Sequence, residues 1–325
     1  MKGPNALKNL FGVQLKFRTH PYALCCDLSK MYHSVHTTEL EKHTRRILFR
    51  EDTSKEFKTY GITRVMFGDK PAAAIAAEAI KETARMYKHI DEEASQKIID
   101  DTYVDDTATG ADTPEDIERL KKKIPEIFAK AGFHAKGMVA TGDDDDKARS
   151  ILGGGDVPHV LGVAWYPKSD EFSVTVKINI SKKHKGARAE EDLKIEEIPR
   201  LIEIKLTRKI LLGITNSIYD VYGLIAAILI QLKIELRFLL DPELKLGWDD
   251  AVPKEIKERW IKLLQLLKGV EGVRFKRCIK PKDSIGKPTL IVCSDGSDDA
   301  MCATAHVRWQ LNDGSFQCRL YAAKT

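Results

Sequence analysis

Two adjacent carboxylates sit in a β-forming context in Tyr103-Val104-Asp105-Asp106. Aromatic and β-branched residues flank them, which predicts a hairpin within residues 98–110 with the acids at its tight turn. Neighbouring carboxylates repel each other, and holding them together costs stability unless a cation neutralises them. A third acid, Asp27, lies near the end of the apolar run 22–28, which reads as a buried strand. If the two strands meet, Asp27, Asp105 and Asp106 form an oxygen-rich site suited to Mg²⁺. Two such ions about 4 Å apart stabilise both the attacking and the leaving oxygen of a phosphoryl transfer. The protein then contributes position and charge, and needs no Ser or His nucleophile. Asp-Asp at a turn is, by itself, more often a solvated loop, and the nearby Asp100-Asp101 is read that way.

The surrounding pattern alternates. Residues 47–50 and 57–66 read as paired strands around a polar turn. Thr38 and Glu41 form a capping box. Pro71 opens an Ala-rich helix over 72–90. Thr113-Pro114-Glu115-Asp116 places an N-cap hydroxyl, a first-turn Pro and acids at the positive end of a helix, which Gly132 closes. Residues 134–140 read as a strand, 143–146 as an exposed acidic loop, and 160–165 and 172–180 as further strands. This order predicts an α+β layer with helices on one face of an antiparallel sheet. Residues 181–200 are rich in Lys and Glu and mark a boundary. Residues 206–240 and 254–267 read as mostly helical, and strands return at 289–294, 303–310 and 315–321. The expected domains are 1–180, 181–285 and 286–325.

Composition narrows the setting. The 325 residues are 43% hydrophobic and 31% charged, which fits a folded water-soluble chain and not a disordered one. A net charge of +5 permits a nucleic-acid partner. Six cysteines without C-x-x-C spacing argue against a zinc site or a disulfide framework, and for a reducing, intracellular compartment. The apolar stretch 224–240 is interrupted by Gln231, Lys233, Glu235 and Arg237, so it reads as a core helix and no membrane partner is expected.

In order along the chain, Asp27-Leu28-Ser29-Lys30-Met31-Tyr32, Met66-Phe67-Gly68-Asp69-Lys70-Pro71 and Tyr103-Val104-Asp105-Asp106 resemble the palm motifs of a reverse transcriptase of the BEL/Pao class of retrotransposons. Ala131-Gly132-Phe133, Val160-Leu161-Gly162-Val163-Ala164-Trp165, Ser217-Ile218-Tyr219-Asp220 and Leu246-Gly247-Trp248-Asp249-Asp250 extend the resemblance collinearly. It implies a reverse-transcriptase palm, a helical connection and a truncated RNase H-like α/β lobe. It implies an RNA-directed DNA polymerase that performs two-metal-ion nucleotidyl transfer, with two Mg²⁺ ions, or Mn²⁺ in their place, as cofactor. Asp27, Asp105 and Asp106 are then the catalytic and metal-binding carboxylates. Tyr32 is the aromatic gate that packs on the sugar and disfavours a 2′-hydroxyl. Phe67, Gly68 and Lys136 lie near the nucleotide, Lys70 near a phosphate, and Leu161-Gly162 matches the primer-grip hairpin. For Tyr32 a plain core aromatic, and for Lys70 and Lys136 a plain surface lysine, are the competing readings.

The C-terminal third resembles the segment catalogued as the Pao retrotransposon peptidase family. An aspartic protease needs paired Asp carboxylates, which the family carries in D-[ST]-G loops, whereas Asp295-Gly296-Ser297 has the wrong order and no second copy. The region reads instead as the start of a ribonuclease H fold, with Asp295 matching its first carboxylate or serving as a turn residue. Ala73 and Val221 stand where the family carries proline. The chain starts 26 residues before Asp27, so most of the fingers, the rest of RNase H and an integrase are expected on other polyprotein segments. Weak or no activity is expected of this chain by itself. Partners would be an RNA or DNA template-primer and dNTPs, in the cytoplasm, a virus-like particle or the nucleus. The alternative is an inactive nucleic-acid-binding remnant or structural fragment. Its basic surface would be Lys182, Lys183, Lys185 and Arg188 with Arg208 and Lys209, weakened by Glu190, Glu191 and Asp192.

Overall fold

A computed structural model describes residues 4–153, 155–180 and 192–325. The chain divides into two compact units, Met1–Leu161 and Gly162–Thr325. Lys182, Lys183, Lys185, Arg188, Glu190 and Glu191, part of the charged surface considered from the sequence, lie outside the described residues.

The first unit runs α1 (Leu10–Phe17), β1 (Tyr22–Ser29), α2 (Met31–Ser34), β2 (Arg46–Phe49), β3 (Lys58–Gly61), α3 (Ala72–Met86) and α4 (Glu92–Asp101). It continues with β4 (Thr102–Tyr103), β5 (Asp106–Ala111), α5 (Pro114–Lys130), β6 (His134–Ala140), α6 (Asp145–Leu152) and β7 (His159–Val160). Four strands form an antiparallel sheet in the order β4-β5-β1-β6. β1 is central because its side chains are apolar on both faces, and residues Ala23 to Cys26 are all buried. Leu24, Cys26 and Leu28 pack on one side against Ala76, Ile80 and Ala84 of α3, Ile98 of α4, and Leu120, Ile124 and Phe128 of α5. On the other side α6 lies over β6, where Ile151 would sit 2.9 Å from a Cβ on Gly137.

Local chemistry explains several boundaries. The Thr113 hydroxyl accepts from the Asp116 N–H, Pro114 takes the first position of α5, and Gly132 follows its end at φ +77°. The Thr38–Glu41 capping box forms, with each residue's backbone N–H donating to the other's side chain, and it opens one short turn of helix over Glu41–His43. Other expectations need correction. Residues 98–101 finish α4 and are not hairpin, because Ile98 follows Ala94 on a buried helical face whose start is capped by Asp91. Residues 143–146 are not a free acidic loop: Asp144 caps α6, and Asp145 and Asp146 fill its first turn, where acids suit the positive helix end. The helix begun at Ala72 stops at Met86, short of 90.

The second unit contains β8 (Val163–Tyr166), β9 (Glu171–Ser173), α7 (Arg208–Ser217), α8 (Ala226–Leu239), α9 (Lys254–Lys268) and β10 (Phe275–Lys276). β11 (Ser284–Gly296), β12 (Met301–Leu311) and β13 (Phe316–Lys324) follow as an antiparallel meander. The strand expected over 172–180 ends at Ser173, and residues beyond it pack Val174, Val176 and Ile178 into a core with Leu211, Leu232, Trp260 and Leu264. Trp165 is a buried packing residue whose indole N–H donates to Asp170 Oδ1 at 3.1 Å. The same carboxylate grips the fully buried Arg277 guanidinium at 2.5 and 2.9 Å. No helix among the described residues is long and apolar enough to cross a membrane.

Leu120 is fully buried beneath β1, whereas Lys121, one position on, makes an ion pair with Glu118 at the surface. Leu120→Ala is expected to destabilise the first unit by about 2–5 kcal/mol and Lys121→Ala by less than about 0.5 kcal/mol. Denaturant unfolding of the two variants checks this, and equal costs would contradict the packing described.

Candidate active site

The carboxylates meet through strand register. In the β1–β5 pair, Asp27 stands directly opposite Asp106, and the Leu28 N–H donates to the Asp105 carbonyl at 2.9 Å. Directly opposed residues of an antiparallel pair project on the same face. Leu24, Cys26 and Leu28 take the helix-covered face, so Asp27 and Asp106 take the other one. Asp105 belongs to the turn between β4 and β5, which Val104 enters at φ +55°. That left-handed conformation is costly for a β-branched residue, and it tightens the turn that holds the acids.

Lys136 arrives by a bulge. β6 pairs Met138 with Cys26 but Ala135 with Leu28, so the register shifts beside Asp27. Met138 and Ala135 both pack on the helical core, which turns Lys136 and Gly137 to the opposite face. Lys136 Nζ donates to Asp27 Oδ2 at 2.8 Å, with the lysine side chain 47% exposed and the aspartate 18%. Asp27 Oδ1 is buried and has no hydrogen-bond partner among the described residues.

Charge crowding is strong here. Burial first, then Asp105 and Asp27, push the Asp106 carboxyl up to about 7. Burial and Asp27 also hold the Asp105 carboxyl above its usual range. The hydrogen bond to Asp27 holds the Lys136 ammonium above its ordinary value. Burial pushes the neighbouring Cys26 thiol up to about 12, so it stays protonated.

The other sequence-predicted residues divide. Tyr32, on α2, half-buries against the helical core, and burial followed by the Asp105 charge raises its phenol. Tyr32 therefore lies within electrostatic reach of Asp105. Phe67 is 68% exposed, its ring centroid 5.7 Å from that of His33 on α2, and Gly68 has φ +95° with open space beyond it. Sequence reading missed His33, whose Nε2 is buried without a hydrogen-bond partner among the described residues. Lys70 is exposed. Leu161 ends the first unit at φ +50°, its carbonyl accepting from Gln14 at 2.9 Å. Gly162 opens the second unit at φ +85°, and the Tyr219 ring lies 3.0 Å from where its Cβ would stand. Asp295 is exposed on β11, its carboxylate accepting from the Gly296 N–H at 2.9 Å. Asp220 caps the turn before α8, accepting from Leu224 and Ile225 at 2.8 Å each.

The donor chemistry fits a hard divalent cation, since Asp27, Asp105 and Asp106 offer carboxylate oxygens and one of these is orphaned. The geometry is not closed around one: among the described residues no three His, Cys, Asp or Glu side chains group so as to hold a metal ion. Lys136 supplies the neighbouring positive charge in this arrangement.

Residues 207–325 match the family model described as the Pao retrotransposon-like RNaseH-like domain. A foamy viral protease-reverse transcriptase solved with double-stranded DNA matches with a TM-score of 0.50 at 13% identity, over 100% of this chain and 46% of that one. The foamy viral protease-reverse transcriptase solved with an RNA/DNA hybrid matches with a TM-score of 0.49 at 14% identity, over 98% of this chain and 36% of that one. The fold is similar to that of a reverse transcriptase with an RNase H-like domain. The chain spans less than half the length of these solved structures. No curated protein matches it. The family match and the fold agree with the retrotransposon polyprotein fragment read from the sequence, and the description of residues 207–325 as RNaseH-like agrees with setting the protease reading aside.

The raised Asp106 carboxyl ties stability to pH. The folded chain keeps that proton up to about 7, whereas the unfolded chain loses it near the ordinary 3.8. Stability should therefore fall as pH rises from about 4 to about 7, by roughly 2–4 kcal/mol in chelator-containing buffer. Asp106→Asn should remove this slope and melt higher than the wild type at pH 8. Parallel melting-temperature profiles for the two proteins would contradict the crowding described.

Proposed function

We propose that the first unit is the palm of a BEL/Pao-type RNA-directed DNA polymerase, which extends a primer on an RNA or DNA template with dNTPs. The observation that carries this reading is the register of Asp27 opposite Asp106 on a sheet face clear of the three core helices, with Asp105 in the adjoining turn. The RNaseH-like family match downstream and the reverse-transcriptase fold support it. The solved relatives were captured on nucleic acid, which favours a template-primer as partner.

In this reading Asp27, Asp105 and Asp106 are the carboxylates that would hold two Mg²⁺ ions, or Mn²⁺. Bound there, such ions stabilise the attacking and leaving oxygens of nucleotidyl transfer. The chain's own groups do the remaining work. The sheet fixes Asp27 and Asp106 before substrate arrives, so little reorganisation is needed. Tyr32 offers a ring beside the acids to pack on the sugar, and Phe67-Gly68 offers an exposed aromatic and an unobstructed backbone for the nucleotide. Leu161-Gly162 would steady the primer, and Asp295 would be the first carboxylate of the RNase H-like part. Fingers, the rest of RNase H and integrase would come from other polyprotein segments, in the cytoplasm, a virus-like particle or the nucleus.

Mg²⁺-dependent dNTP incorporation on a primed RNA template is the expected activity, reduced at least about a hundredfold in Asp105→Asn and Asp106→Asn. Salt-sensitive template binding by the folded chain with no incorporation would overturn the polymerase reading in favour of a binding remnant.

A further inference from the structure

The ion pair between Lys136 and Asp27 occupies the place where the acidic site would need its cation. Asp27 has one carboxylate oxygen on the Lys136 ammonium and the other buried without a partner among the described residues. The lysine is there by construction, since the β6 bulge between the Met138 and Ala135 registers turns it onto the carboxylate face. Its charge acts beyond Asp27, reaching Asp105 and Asp106 as well. One ammonium thus lies within electrostatic reach of all three acids. A divalent cation entering between Asp27 and Asp106 would meet a positive charge already bonded to one of its ligands.

We propose that Lys136 is a displaceable stand-in for the cation: a positioning residue that holds Asp27 in register in the absence of metal and leaves it when a divalent ion binds. This inference rests on the palm reading and deepens it. Lys136 then sets the cation concentration at which the acidic site switches from lysine-held to metal-held. Its half-exposed side chain gives it somewhere to go, because solvent lies alongside and, among the described residues, Asp27 is its one hydrogen-bond partner. Like charges held close together repel, so three neighbouring acids without such a counter-charge would be less stable when empty.

Mn²⁺ binding to the full chain, followed by the electron paramagnetic resonance of free Mn²⁺, tests this without relying on activity. Lys136→Gln should bind Mn²⁺ roughly fivefold or more tightly than the wild type, the size expected when a partly exposed ion pair no longer has to break. Lys136→Arg restores a cation on Asp27 and should return the affinity toward the wild-type value. Asp27→Asn should lose the binding. Equal or weaker binding in Lys136→Gln, with the Asp27→Asn loss intact, overturns the stand-in role and leaves the palm reading standing. Identical binding in the wild type and Asp27→Asn overturns both.

Discussion

The acidic site depends on one constraint, the antiparallel register that puts Asp27 across from Asp106 on the two middle strands of a packed sheet. Apolar residues on both sides of β1 fix that register, because a slip by one position would drive Leu24, Cys26 and Leu28 off the helical core. The fold thus spends hydrophobic packing to hold like charges together. Burial first, and then the Asp105 and Asp27 charges, push the Asp106 carboxyl up to about 7, and the nearby Lys136 ammonium offsets part of this.

That division of labour separates the two faces of the sheet. The helix-covered face, with Ile80, Leu120, Ile124 and Phe128, is built for stability. The other face carries the carboxylates, and there the turn strain at Val104 and the bulge opposite Asp27 are concentrated. Strain and unpaired polar atoms at one end of an otherwise well-packed layer are the usual mark of a site shaped for ligands and not for stability. Tyr32 feels the Asp105 charge, and its neighbour His33 has a buried Nε2 without a hydrogen-bond partner among the described residues, with the exposed Phe67 ring beside it.

Much of this was legible in the sequence. The apolar run around Asp27, the Thr113-Pro114 start and the Gly132 stop each depend on local chemistry, and each stands where it was read. Errors came where local signals compete. Acids at 143–146 suit a solvated loop and a helix N-terminus equally, and Asp144 settles the matter by capping α6. Ile98 fits a strand or a helix, and only its packing with α3 and α5 decides. The link between Lys136 and Asp27 was out of reach, since 109 positions separate them and a bulge sets the lysine's face. Gly137 was the one local hint, as an interior strand glycine often marks a bulge or a close approach.

We propose that these acids form a divalent-cation site governed by Lys136. Anomalous diffraction from crystals of the chain soaked in Mn²⁺ tests it most directly. A manganese peak between the Asp27 and Asp106 carboxylates is expected, with the Lys136 ammonium moved off Asp27. An intact Lys136–Asp27 pair with no peak beside it, at Mn²⁺ concentrations that saturate binding in solution, would contradict it.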